Sequence, residues 1–244
     1  MQQKLLRKAG LLVIVLLASG AMFNGCIDEP NPPVLDRIVS EVRFVHAVSD
    51  APAVDIWVDD EKVLSGVSYK ANSDYLTINS GNRFLRVVPA GADTSQSVFR
   101  RLVSVRSLTK ITMAFFQNVD DIELMSTQER FTYADETTPL ADSSEAALKV
   151  INLNFDGIDY GIAKSIEGNN FESLVAPVPA GWLSAYETIP AQSATCFISR
   201  ENGTVVTPSQ FEHDFQAGYR YSFIIVGAGG EEELDVLALT DDTP

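Results

Sequence analysis

Basic side chains are scarce in this 244-residue chain: 18 lysine and arginine against 33 aspartate and glutamate, a formal charge of -15. Nucleic acid is therefore not an expected partner, because binding a phosphate backbone relies on an excess of lysine and arginine. Histidine and cysteine occur only twice each, and neither His46 nor His213 lies in a local cysteine-protease signature. No Gly-x-Ser-x-Gly elbow is present, which argues against a serine hydrolase of that type. Gly227-Ala228-Gly229-Gly230 lacks the lysine and following helix of a phosphate cradle, so it reads as a turn. Beyond the N-terminal region no apolar run approaches the roughly 20 residues of a transmembrane helix. Long helical periodicity is missing as well.

The first 26 residues are of a different kind. Lys4, Arg7 and Lys8 precede the uncharged apolar run Leu11 to Ala18, and the small residues Ser19, Gly20, Ala21 and Gly25 lead to Cys26. The run is too short to span a bilayer and has the layout of a cleavable signal. Gly25-Cys26 resembles the end of a bacterial lipobox, although Phe23 stands where leucine is usual. The resemblance implies lipidation of Cys26 and a mature chain held at a membrane in the cell envelope, with the outer membrane as the expected address. Loss of residues 1-25 removes three basic and no acidic residues, giving -18. With Cys26 committed to lipid, Cys196 has no disulfide partner, and within Thr195-Cys196-Phe197-Ile198 it reads as a buried strand thiol.

Asp28, Glu29, Pro30, Asn31, Pro32 and Pro33 mark residues 26-40 as a solvated, extended tether. From Val42 onward, short alternating or β-branched runs are broken by Gly, Pro, Asn and Asp, an all-β pattern. Val54, Ile56 and Val58 alternate with Asp55, Trp57 and Asp59, which predicts one buried and one open face. Phe84 to Val88, Ile111 to Phe116, and a hairpin at Asn202-Gly203 flanked by Cys196-Ser199 and Thr204-Val206 are further elements.

The strands also recur. Val42 to Ala47 matches Leu148 to Asn154, and Leu108 to Phe116 matches Gly218 to Val226. Ile78-Asn79-Ser80-Gly81 pairs with Val178-Pro179-Ala180-Gly181, and Val87 to Ala90 with Thr188 to Ala191. Such long spacing indicates duplicated domains, since solenoid repeats run about 20 to 50 residues. The expected organisation is two tandem immunoglobulin-like β-sandwich domains, at residues 41-133 and 147-241, joined by an acidic linker at 134-146.

Only His46 with Asp50, Asp55 and Asp59 suggests acid-base or metal chemistry, as in an envelope hydrolase or a zinc site. The competing reading is structural, with Asp50 initiating the turn before Ala51-Pro52 and His46 satisfied within it. In this reading Asn154 stands in the second copy where His46 stands in the first. The acidic runs Asp59-Asp60-Glu61, Asp120-Asp121 and Glu231-Glu232-Glu233 read as solvated turn tips before calcium sites. Trp57, Trp182, Tyr69 and Tyr75 are candidates for a carbohydrate or protein contact surface.

Val42-Arg43-Phe44-Val45-His46-Ala47-Val48-Ser49-Asp50-Ala51-Pro52 resembles the opening of the DUF4397 family. Val63 to Tyr69, Tyr75 to Ile78 and Val87 to Gly91 follow in the family's order. The resemblance implies a secreted or anchored envelope protein with β-rich domains and brings no activity with it. The resulting expectation is a non-enzymatic, lipid-anchored binding, adhesion or scaffold module with no catalytic residue, no cofactor and no metal. Its partners would be the membrane through Cys26 and a protein or glycan.

Overall fold

A computed structural model describes residues 38-130, 144-167, 170-207, 209-227 and 233-242. The leader, Cys26, most of the tether and most of the linker lie outside the described residues; Val39 and Ser40, placed in the tether by the sequence, already belong to the first strand.

Eight strands form between residues 39 and 130: β1 (Val39–Val48), β2 (Val54–Val58), β3 (Glu61–Val67), β4 (Leu76–Asn79), β5 (Gly81–Pro89), β6 (Phe99–Val105), β7 (Thr109–Gln117) and β8 (Glu123–Arg130). Nine more follow: β9 (Glu145–Asn152), β10 (Tyr160–Ser165), β11 (Phe171–Val178), β12 (Trp182–Leu183), β13 (Glu187–Pro190), β14 (Ser193–Arg200), β15 (Phe211–Asp214), β16 (Arg220–Val226) and β17 (Asp235–Asp242). The expected all-β sandwich class is what forms. The first sandwich has sheets β4-β1-β7-β8 and β3-β2-β5-β6; the second has β12-β9-β16-β17, with β13 also on β9, and β11-β10-β14-β15. The strand order is the same in both, down to the parallel β1–β7 and β9–β16 pairs.

Equivalent pairing corrects parts of the sequence alignment. Ile78 in β4 faces Ser40 of β1, and Ile189 in β13 faces Ala146 of β9, so Ile78 corresponds to Ile189 and not to Val178. Val87 lies in β5, whose counterpart is β14, so its match to Thr188-Ile189 also fails. Pro-Ala-Gly turns end many strands for the same steric reason, and similar turns misled the register. The Asn202-Gly203 turn forms, with Gly203 at φ +76 and the Arg200 N–H donating to the Thr204 carbonyl (2.9 Å). Its returning arm makes only the isolated Ser199–Val205 bridge; β14 pairs instead with β15.

Alternation along β1 and β7 divides their side chains between two cores. Val42, Phe44, Ile111, Met113 and Phe115 face β2 and β5 inside the first sandwich. Val45, Ala47, Ala114 and Phe116 face the other way, onto Ile151, Leu153, Ile224 and Val226 of β9, β16 and the residue after β9. Strands covered on both faces read as near-continuous apolar runs, as Ile111 to Phe116 and Phe223 to Val226 do. The four sheets therefore stack in layers, with β3-β2-β5-β6 and β11-β10-β14-β15 outermost.

The seam between the sandwiches also holds a buried ion pair. Arg43 Nη2 lies 2.5 Å from Asp241 Oδ1, both side chains being under 5% exposed. Arg43 also donates to the Thr240 carbonyl (3.0 Å) and to Thr112 Oγ1 (2.9 Å). Tyr186 OH (2.8 Å) and Ser222 Oγ donate to Asp241 Oδ2. Arg220 pairs with Asp242 and Tyr221 with Thr240, so Asp241 is the extra residue of a β-bulge. A bulge re-aims a side chain, and this one turns the carboxylate into the seam.

Candidate functional site

His46 occupies β1, in line with Phe115 of β7, and is 1% exposed. Its Nδ1 accepts the Val48 N–H (3.2 Å), which leaves the proton on Nε2 to donate to the Pro52 carbonyl (3.2 Å). Both ring nitrogens are thus used by the backbone, and burial lowers the pKa below 6.5 by penalising the imidazolium. The equivalent residue in the second sandwich is Asn152, in line with Ile225 of β16, and not Asn154. Asn152 Oδ1 accepts the Asn154 N–H (3.1 Å), and Nδ2 donates to the carbonyls of Ile158 (3.1 Å) and Val178 (2.9 Å). One backbone bracket is built twice, with imidazole in one copy and amide in the other. The position serves the strand-to-turn joint.

The aspartates near His46 go to separate duties. Asp50 Oδ1 accepts the Val119 N–H (2.8 Å) from the β7–β8 turn, just past the ends of the neighbouring strands β1 and β7 and not within its own turn. Asp55 is 1% exposed although it lies on the face expected to be open. It takes a Lys62 ammonium hydrogen bond (2.6 Å) together with Ser65 Oγ (3.1 Å), the Gly66 N–H (2.9 Å) and the Gly91 N–H (3.3 Å). Lys62 first, then these backbone donors, hold its pKa down at about 2 against the cost of burial. Asp59 accepts the Phe84 N–H (2.9 Å) and pairs with Arg83 (3.1 Å). Among the described residues no three His, Cys, Asp or Glu converge as a metal site. Cys196 is fully buried, as expected, and desolvation pushes its thiol up to about 12.

The aromatic candidates separate in the same way. Tyr75 lies at the seam, with the Arg43 guanidinium 4.7 Å and the Lys110 ammonium 5.6 Å from its ring centre; Tyr186 is placed likewise against Lys149 (4.5 Å) and Arg220 (5.9 Å). Tyr69 packs edge-on to His46. Trp182 is 66% exposed on the two-residue edge strand β12.

Trp57 sits on the outward face of the outermost sheet of the first sandwich. Lys62, Trp57, Arg86 and Arg100 are direct cross-strand neighbours on β3, β2, β5 and β6, one residue per strand in a single row. Phe84 faces Leu102 in the adjoining row, and Leu102 is 62% exposed. The Lys62 ammonium lies 5.3 Å from the Trp57 ring centre, and the Arg86 guanidinium 4.8 Å from that of Phe84. Neither β5 nor β6 contains a carboxylate. This row was missed by sequence reasoning, although the outward alternation Phe84, Arg86 and Arg100, Leu102 was a visible signal.

The second sandwich does not repeat it. There the corresponding neighbours on β11, β10 and β14 are Ser173, Ala163 and Phe197. Charge divides accordingly: residues 38-130 carry ten Lys and Arg against 12 acids, and residues 144-242 carry four against 15. What the copies share, Arg43 with Lys149 and His46 with Asn152, belongs to seam and joint. The basic-aromatic row belongs to one copy; within it Lys62 is tied to the buried Asp55 and Arg86 lies over Phe84, while Arg100 is exposed.

Residues 40-158 match the family described as "Domain of unknown function (DUF4397)". The chain is similar to the Bacillus anthracis TIE protein at 10% identity and TM-score 0.24, covering 78% of this chain and 34% of that one. It is also similar to a streptococcal family 41 carbohydrate-binding module described for α-glucan recognition (12%, 0.25, 81% and 96%). A third likeness is to a putative cell adhesion protein from Bacteroides uniformis (12%, 0.23, 84% and 98%). These likenesses are too slight to bear on a ligand. No curated protein matches the chain.

Proposed function

From the match of residues 40-158 to the DUF4397 family, we propose a non-enzymatic binding module of the bacterial cell envelope, lipid-anchored through Cys26 and displayed on the tether that follows it. The observation that carries the binding role is the outward row of Trp57, Arg86 and Arg100, half-buried at Trp57 and Arg86 and exposed at Arg100, which the second sandwich does not repeat. The anchor rests on the leader pattern ending at Cys26. A seam joining both sandwiches suits presentation, because a face held on a rigid body loses little order on binding.

Two experiments test the two parts. Cys26→Ser is expected to shift the protein from the membrane to the soluble fraction, and membrane retention would remove the anchor. The chain lacking residues 1-26 is expected to bind purified envelope fragments saturably, with Arg86→Gln/Arg100→Gln binding less. Binding that never saturates, or that ignores these substitutions, rejects the module.

A further inference from the structure

We propose that the Trp57–Arg86–Arg100 row binds a linear acidic polysaccharide, one carrying carboxylates on its sugar rings; this rests on the binding-module reading above. Neighbouring strands lie about 4.8 Å apart, close to the length of one pyranose unit, so a sugar chain laid across the strands meets one residue of the row per ring. Trp57, half-buried with the Lys62 ammonium 5.3 Å from its ring centre, supplies the aromatic member of the row. Arg86 and Arg100, on adjacent strands, offer planar guanidinium forks that match carboxylates on successive rings. Lys62 is not part of the ligand set, because its ammonium is committed to the buried Asp55. The Asp60 partner of Arg86 is 94% exposed at 3.2 Å, an ion pair that a ligand carboxylate displaces at little cost.

Other occupants fit less well. Peptides add to sheet edges along a strand or fill grooves, whereas this row runs across the strands, from β2 through β5 to β6. Nucleic acid needs a broad basic field, whereas the chain as a whole is at -15. An acidic glycan needs only the local row.

The test uses the chain lacking residues 1-26 with Trp182→Phe, which leaves Trp57 as the single tryptophan reporter. Polygalacturonate is expected to bind saturably at low salt, to change the Trp57 emission, and to dissociate as salt rises. Its fully methyl-esterified form, with the same rings and no charge, is expected to bind at least tenfold more weakly. Arg100→Gln is expected to weaken binding about tenfold, the loss of one charge-assisted pair. Arg106→Gln, an exposed arginine off the row, is expected to change nothing. Equal loss in both variants, equal binding of the ester, or equal binding of single-stranded DNA or phosphatidylglycerol vesicles would overturn the acidic-glycan assignment. If polygalacturonate fails while envelope fragments still bind through Arg86 and Arg100, the ligand class is wrong and the module stands. If both fail, the module falls too.

Discussion

His46 shows what a single side chain does here. It is a joint, and Asn152 performs the same bracket in the second sandwich. His46→Asn is therefore expected to cost under about 1 kcal/mol, whereas His46→Ala, which strands the Val48 N–H and the Pro52 carbonyl, costs about 2–3 kcal/mol. Urea midpoints separate the two; equal losses would remove the joint. The same histidine sets a pH response. Burial lowers the pKa values of His46 and His213 from 6.5, so on acidification the unfolded chain binds these protons first. Stability is then full above about 6.5 and falls as pH drops toward the lowered values. Asp55, held at about 2 against 3.8 unfolded, adds a further loss between those values. Unfolding midpoints that stay flat from pH 7.5 to 5 would contradict the histidine part, and His46→Asn should shallow the slope.

At the scale of elements, β10 carries an equally specific demand. Gly161 occupies the position that Asp55 holds in β2, and β11 runs directly over it: an added Cβ would lie 2.7 Å from the Pro177 nitrogen and closer still to the Val175 carbonyl oxygen. Backbone cannot swing aside as a side chain can. Gly161→Ala is expected to cost about 1–3 kcal/mol, read as a lowered melting temperature, while Gly203→Ala, with open space around it, pays only for its positive φ. An unchanged melting temperature for Gly161→Ala would mean that β11 does not lie over β10 this way. The hairpin that became an isolated bridge belongs here too. Asn202-Gly203 specifies a tight turn, but the returning arm pairs only around Val205, the Ser209 hydroxyl then takes the Ile198 N–H, and the chain rejoins β14 as β15 at Phe211.

Over the whole molecule the seam matters most. Each large apolar side chain buried there contributes about 1.5–3 kcal/mol, which argues for one cooperative body in place of two separate beads. Calorimetry is expected to show a single transition, split into two by Ile224→Asp; two transitions in the unaltered protein would refute the seam. The ion pair predicts a distinct pattern. Arg43→Met or Asp241→Leu alone strands a buried charge and costs about 3–5 kcal/mol, whereas the double substitution recovers most of it. Additive losses would count against the pair.

Much was present in the chain order of residue types. Alternation and turn punctuation specify strands locally, so the all-β class, the breaks at Asp59-Asp60 and at Pro89-Ala90-Gly91, and the burial of Cys196 were legible, as was the DUF4397 resemblance over the first sandwich. The apolar runs Ile111 to Phe116 and Phe223 to Val226 even carried the sign of burial on both faces. What covers the second face is not local information. Val45 and Ile151, or Arg43 and Asp241, meet only once two sandwiches stack and a bulge turns one carboxylate inward. Nor could spacing along the chain place Lys62, Trp57, Arg86 and Arg100 in one row, because strand register aligns residues that sequence keeps far apart. Local chemistry determined the strands; long-range pairing decided which side chains remained free to act.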